Sequence, residues 1–198
     1  MRMNISWKHS THFPVLMEAV RRTTGPVLEL GVGLYSTPLL HWLCYPSGRK
    51  LVSYDSNVQW AHTHRDYVRG AHELQYVNSF DDAPIEQPWD VAFVDHAPAE
   101  RRAVDVRRLA PWAQYVVVHD TEGRLDNSYQ FSDIYPLFKY RYEFNKAGLK
   151  STGNRSKGCM RSTACRRRCR AWLGARALRS IEMTSRLGTP RAGAGRRC

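Results

Sequence analysis

Long apolar runs are missing from this chain: none of them approaches the roughly 20 residues that a membrane span requires. Met1 to Ser10 also lacks the apolar stretch of a secretory signal, so a cytoplasmic protein with no membrane attachment is expected. Acids are nearly absent from one part only. Residues 151–198 hold 13 of the 30 basic side chains and one acid, Glu182, which leaves 17 basic and 17 acidic side chains in residues 1–150. The net charge of +12 therefore belongs to the tail, and the first 150 residues lack the basic excess of a nucleic-acid-binding domain. Histidine is absent from the tail, and Cys159, Cys165 and Cys169 are not spaced as CxxC, which excludes a zinc site of the usual kind there.

What is present is an alternation of short apolar runs and amphipathic stretches. Residues 12–22 read as a helix with Phe13, Leu16, Met17 and Val20 on one face, broken by Gly25-Pro26. Val27 to Leu30 reads as a buried strand, Gly31-Val32-Gly33 as a tight turn, and Ser36 or Thr37 as the start of a helix that tolerates Pro38 in its first turn. Further strands are expected at Leu51–Tyr54, Leu74–Val77, Val91–Val94 and Tyr115–Val118. Helices are expected at 57–69, with Val58, Ala61 and Val68 inward, and at 98–110, with Ala99, Ala103, Val106 and Ala110 inward. This order implies an α/β fold: a Rossmann-like, mostly parallel sheet with helices on both faces.

Ligands of such sheets sit beyond the carboxyl ends of the strands. Glu29 lies in the first strand, and Asp55, Asp95 and Asp120 each end a strand, so one sheet edge collects four acids. Each by itself could be a helix cap; together they point to a site. Asp55 follows Gly33 by 22 residues, near the spacing of about 20 at which an acid meets ribose hydroxyls. The third position of the dinucleotide fingerprint is Ser36 rather than glycine, which disfavours a nicotinamide cofactor and favours an adenosine ligand without a pyrophosphate.

Glu29-x-Gly31-x-Gly33, followed by an acid at the end of the second strand, resembles class I S-adenosylmethionine-dependent methyltransferases over residues 12–144. The resemblance implies that Gly31 and Gly33 let backbone approach the methionine part of S-adenosylmethionine, with Glu29 also among the cofactor-binding residues. It further implies that Asp55 binds the ribose and that Asn78 and Ser79 border the adenine. Trp89 to His96 is similar to the fourth strand of catechol-type, metal-dependent O-methyltransferases, and Val117-Val118-His119-Asp120 falls where that group carries a second metal-binding acid. Asp95 and Asp120 are thereby candidates for Mg²⁺, with Thr121 where that group has Asn and Glu122 beside it. His96 and His119 are the candidate bases for methyl transfer to an oxygen or nitrogen of a small molecule. His62, His64 and His72 read as a solvated face, as do Arg101, Arg102, Arg107 and Arg108. The stretch Trp7–His12 is placed to fold over the cofactor.

Tyr140 to Phe144 alternates like the first of two antiparallel closing strands, but no partner strand is legible after it. The expected organisation is a methyltransferase-like domain over 1–150, lacking its closing strand, and a disordered Arg/Gly/Cys-rich tail over 151–198. So abrupt a change of composition resembles a GC-rich gene read in a shifted frame. Two other readings remain: a Rossmann protein binding NAD or a nucleotide sugar, and a nucleic-acid binder acting through the tail.

Overall fold

The computed structural model describes residues 7–121, 125–143 and 181–186. Its seven strands are β1 (Val27–Leu30), β2 (Leu51–Asp55), β3 (His72–Tyr76), β4 (Trp89–Val94), β5 (Ala113–His119), β6 (Phe138–Glu143) and β7 (Ile181–Arg186). They form one sheet in the order β3-β2-β1-β4-β5-β7-β6. The first five are mutually parallel, and β7 runs antiparallel to both β5 and β6. Helices α1 (Phe13–Arg21), α2 (Ser36–Cys44), α3 (Val58–Thr63), α4 (Arg101–Leu109) and the single turn α5 (Asp126–Tyr129) connect them. The α/β class and the mostly parallel sheet expected from the sequence are thus observed.

The expected loss of the closing strand is corrected. Residues 181–186 occupy its place, with Val117 opposite Met183 and Tyr142 opposite the same residue on the far side. The reason is local. Tail composition averaged over 48 residues hides the six-residue run Ile181-Glu182-Met183-Thr184-Ser185-Arg186, which carries two β-branched residues and neither Gly nor Pro. The other tail residues, to which the expectation of disorder was attached, lie outside the described residues.

Strand alternation sends side chains to two cores. Leu28, Leu30, Val52, Val94, Val116 and Val118 pack with Ala103, Val106 and Leu109 of α4 and with Phe80. Val27, Leu51, Val91, Phe93 and Val117 pack with Val15, Leu16 and Val20 of α1 and with Leu40 of α2. By the same period of two, Glu29, Asp95 and His119 belong to the face that α1 and α2 cover, because they continue the rows of Val27, Phe93 and Val117.

Three expected faces differ. In α3 only Ala61 is buried; Val58 is 53% exposed and Val68, beyond the helix, 45%. His64 and His72 are buried rather than solvated, and so is Arg102. Short helix α3 ends at Thr63 and a 3-10 turn, Arg65–Tyr67, follows, so the helical spacing assumed for 57–69 breaks at His64.

Candidate functional site

The turn after β1 is built around two glycines with different duties. Gly31 has φ of +96°, and a Cβ there would meet the backbone N of His96 at 2.6 Å and the carbonyl of Asp95 at 2.7 Å. Its lack of a side chain therefore serves the contact between the ends of β1 and β4. Gly33 has room on all sides except towards Ser36 Oγ, at 3.1 Å from a Cβ, and its N–H donates to Thr37 Oγ1 at 3.0 Å. Of the two, Gly33 alone leaves its backbone open to approach.

Glu29 is wholly buried beneath this turn. Thr37 Oγ1 lies 3.0 Å from both of its carboxylate oxygens and Ser53 Oγ donates at 2.6 Å. Burial pushes its pKa up to about 7, against the hydrogen bonds from Ser36, Ser53 and Thr37. A chain of polar contacts continues from Ser53 Oγ to His72 Nε2 (3.0 Å) and from His72 Nδ1 to His41 Nδ1 (3.2 Å). Burial, and then His41, lower the pKa of His72 to about 4. Glu29 thus ties α2 and β2 to β1 from below.

Asp55 stands at the end of β2 and reaches across to the glycine turn. Its Oδ2 accepts the N–H of Val32 at 2.7 Å and its Oδ1 that of Asn57 at 2.6 Å. Burial raises its pKa against those two bonds. Each oxygen of a carboxylate has two acceptor sites, so one backbone bond to each leaves capacity for a pair of hydroxyls. Asn57 itself caps α3 through Gln59 and Trp60. The pair of acceptor oxygens on Asp55 fits the two hydroxyls of the ribose of an adenosine cofactor. Asn78 is exposed and takes the hydroxyl of Tyr76, whereas Ser79 caps the 3-10 turn Phe80–Asp82.

The ends of β4 and β5 hold a denser cluster. Arg102 of α4 is buried, and its Nε donates to the carbonyl of His96 at 2.7 Å and its Nη1 to that of His119 at 3.1 Å. The same guanidinium lies 3.0 Å from Asp95 Oδ1 and 3.3 Å from Asp120 Oδ2. His119 Nδ1 is 3.2 Å from Asp95 Oδ1, and its Nε2 is 3.0 Å from Thr11 Oγ1. Burial pushes His119 down, but Asp95 and then Asp120 outweigh it and its pKa rises. Asp120 adopts φ of 60°.

One candidate, His96, is placed apart from that cluster's side chains. The ring of His96 stacks on Phe80 at 4.1 Å, and its Nε2 lies 3.0 Å from Asp105 Oδ2, inside the α4 layer. Asp105, fully buried, is held in turn by Arg101 and Arg108. His96 is therefore enclosed, while His119 and Asp95 meet on the opposite face. Sequence reading missed Arg102, whose charge read as surface; Thr11 and His12 lie in the stretch expected over the cofactor, and the structure sets them against His119 and Phe93 at the ends of β5 and β4.

These donors do not fit Mg²⁺. That ion takes oxygen ligands in a strict octahedron, whereas both carboxylates here already face one guanidinium and their nearest other neighbours are imidazoles. The expected Mg²⁺ at Asp95 and Asp120 is corrected on that ground, and no step is routed through it.

The sequence matches no family model and no curated protein. Solved structures do match by shape. The O-methyltransferase TomG from Streptomyces achromogenes, involved in tomaymycin synthesis and solved with SAM, superimposes with a TM-score of 0.57 at 15% identity, over 93% of this chain and 82% of that one. The fold is that of class I S-adenosylmethionine-dependent methyltransferases. An SAH-bound methyltransferase from Podospora anserina, PaMTH1, matches with a TM-score of 0.55 at 10% identity, over 88% of this chain and 76% of the other. The O-methyltransferase from Bacillus cereus in complex with SAH gives 0.51 at 12%, over 92% and 82%. Within this methyltransferase fold, the glycine turn and Asp55 lie at the carboxyl ends of β1 and β2, and the Asp95–His119 cluster lies at those of β4 and β5. Among the described residues, no helix is long and apolar enough to cross a membrane.

Proposed function

We propose that this chain binds S-adenosylmethionine across the ends of β1 and β2 and transfers its methyl group to an oxygen or nitrogen of a small molecule. The observation that carries the reading is the bond from Val32 N–H to Asp55, which sets an acceptor-rich carboxylate against the Gly33 turn at the carboxyl edge of the sheet. An NAD or nucleotide-sugar Rossmann sheet continues in parallel beyond its fifth strand, whereas this one closes with antiparallel β7.

The bound cofactor supplies an activated methyl group on a sulfonium. In such a transfer the acceptor's lone pair would take the methyl carbon, the electron pair of the carbon–sulfur bond would stay with sulfur, and the acceptor's proton would pass to a protein base or to water. Asp95, part-exposed at the end of β4, is placed to take it, with His119 and Arg102 orienting its carboxylate. Alignment of donor and acceptor is the larger contribution.

Calorimetric titration with S-adenosylhomocysteine tests the reading. Binding is expected in the full chain, with the ligand raising the melting temperature, and Asp55→Ala is expected to weaken it at least tenfold. No binding of this ligand, with binding of NAD or a nucleotide sugar instead, would sink the proposal.

A further inference from the structure

His12 presents an unusual situation. It lies just before α1, 1% exposed, with its ring 4.7 Å from that of Phe93 and 5.1 Å from that of His119. Neither of its ring nitrogens has a hydrogen-bond partner among the described residues. A buried imidazole must carry a proton on one nitrogen and a lone pair on the other, and leaving both unmatched costs on the order of 1–3 kcal/mol each. A phenylalanine or leucine would fill the same space among Phe13, Phe93 and the strand ends without that cost.

One donor atom each from His12, Asp95 and His119 lie within 4.8 Å of one another. We infer that these three side chains form a binding site for a transition-metal ion of the Zn²⁺ type, which pins the start of α1 to the ends of β4 and β5. Two imidazoles and a carboxylate are a donor set that such ions take and that Mg²⁺ does not. The separation of His119 Nδ1 from Asp95 Oδ1, 3.2 Å, already matches the ~3.3 Å edge of a tetrahedron with bonds of about 2 Å. Since all three donor atoms already lie within 4.8 Å of one another, a shift of the His12 ring of up to about 1.5 Å towards the other two would complete three corners.

The surroundings support the assignment independently of distance. Thr11 Oγ1 holds His119 Nε2 at 3.0 Å, the kind of outer contact that fixes a ligating ring with its other nitrogen towards the metal. Asp95 and Asp120 bring two negative charges against the one positive charge of Arg102, and a cation bound at His119 Nδ1 would take the place of the proton that Asp95 and Asp120 favour there. Sheet geometry explains the convergence: Phe93, Asp95, Val117 and His119 share the face that α1 covers, and His12 sits at the start of α1. The site shares Asp95 and His119 with the proposed methyl transfer: metal held there would make Asp95 a ligand rather than the proton acceptor, while metal binding itself does not require that reading.

The test uses the full chain, stripped of metal and titrated with Zn²⁺ by calorimetry and with Co²⁺ by absorption. One equivalent should bind, the melting temperature should rise, and the Co²⁺ spectrum should be that of nitrogen and oxygen ligands without thiolate charge transfer. Mg²⁺ at the same concentration should change nothing. His12→Leu removes the donors while filling the space. Its metal-free form should melt at or above the parent's temperature and bind Zn²⁺ at least tenfold more weakly; His119→Gln should weaken binding similarly. The assignment is overturned by no saturable equivalent, by a thiolate spectrum, by equal binding of Mg²⁺, by undiminished binding in His12→Leu, or by marked destabilisation of the metal-free His12→Leu. S-adenosylhomocysteine binding by the same variants, measured in parallel, reports on the methyltransferase reading alone.

Discussion

Arg102 Nη2 stands 3.0 Å from Asp95 Oδ1, in the position where a metal's charge was expected. The same side chain closes the two strand ends by donating to the carbonyls of His96 and His119, and its guanidinium lies 5.1 Å from the ring centre of Tyr129. One helix residue therefore couples β4, β5 and α5.

Arg102→Met should destabilise the fold by about 3–5 kcal/mol, because it leaves two part-buried carboxylates and two carbonyls without their donor. Arg102→Lys should recover little of this, since an ammonium cannot present the planar fork that meets four acceptors. Chemical denaturation of the variants checks both; a loss under 1 kcal/mol in Arg102→Met would show that water replaces the guanidinium.

Gly31→Ala should lower stability rather than affinity alone. The new Cβ would lie 2.6 Å from His96 N with φ at +96°, which forces the end of β1 away from β4. A drop in melting temperature without any ligand is expected, and it should exceed the drop for Gly33→Ala, whose Cβ meets only a serine hydroxyl at 3.1 Å. Equal melting temperatures would contradict the assigned division of labour.

Glu29 links stability to pH. Its pKa of about 7 in the fold lies above the ordinary glutamate value of 4.5, so the folded state binds the proton more tightly. The stabilisation is full below about pH 4.5 and is lost as pH rises through about 7. Glu29→Gln removes this dependence. Its stability relative to the parent should improve by up to about 1.4 kcal/mol per pH unit across that window, read by denaturation at pH values spanning it. A pH-independent difference would show that the hydroxyls of Thr37 and Ser53 keep Glu29 ionised.

Strand β7 should be visible in hydrogen exchange. Its pairing with β5 and β6 protects amides on both neighbours, so Tyr140–Tyr142 and 181–186 should exchange more slowly than isolated residues do. Removal of 181–198 should speed exchange at Tyr140–Tyr142 while leaving β1 and β2 unchanged. Immediate exchange of 181–186 in the intact chain would restore the reading of a sheet without its closing strand.

The parallel core was legible because its signals are local. Val27 to Leu30, Leu51 to Tyr54 and Val91 to Val94 are short apolar runs bounded by turn residues, and each is a strand within a residue or two of where it was expected. The acids at strand ends were legible for the same reason: a strand's carboxyl end is a position in sequence. Six residues at 181–186 were not, because a strand that is paired on both edges can borrow its order from neighbours that are far away along the chain.

Which polar residues are buried was decided only in three dimensions. The residues of Arg101–Leu109 show a helix with two arginine pairs about one acid, and nothing local marks Arg102 as the one facing the strand ends or Asp105 as fully enclosed. His12 and His119 are 107 positions apart and meet only because α1 crosses the same face of the sheet on which Val117 and His119 lie. Sequence alone determined the period of each element and hence the fold class. Tertiary packing decided the partners of each charged group, because desolvation and pairing depend on what the neighbouring layer brings to within a few ångströms.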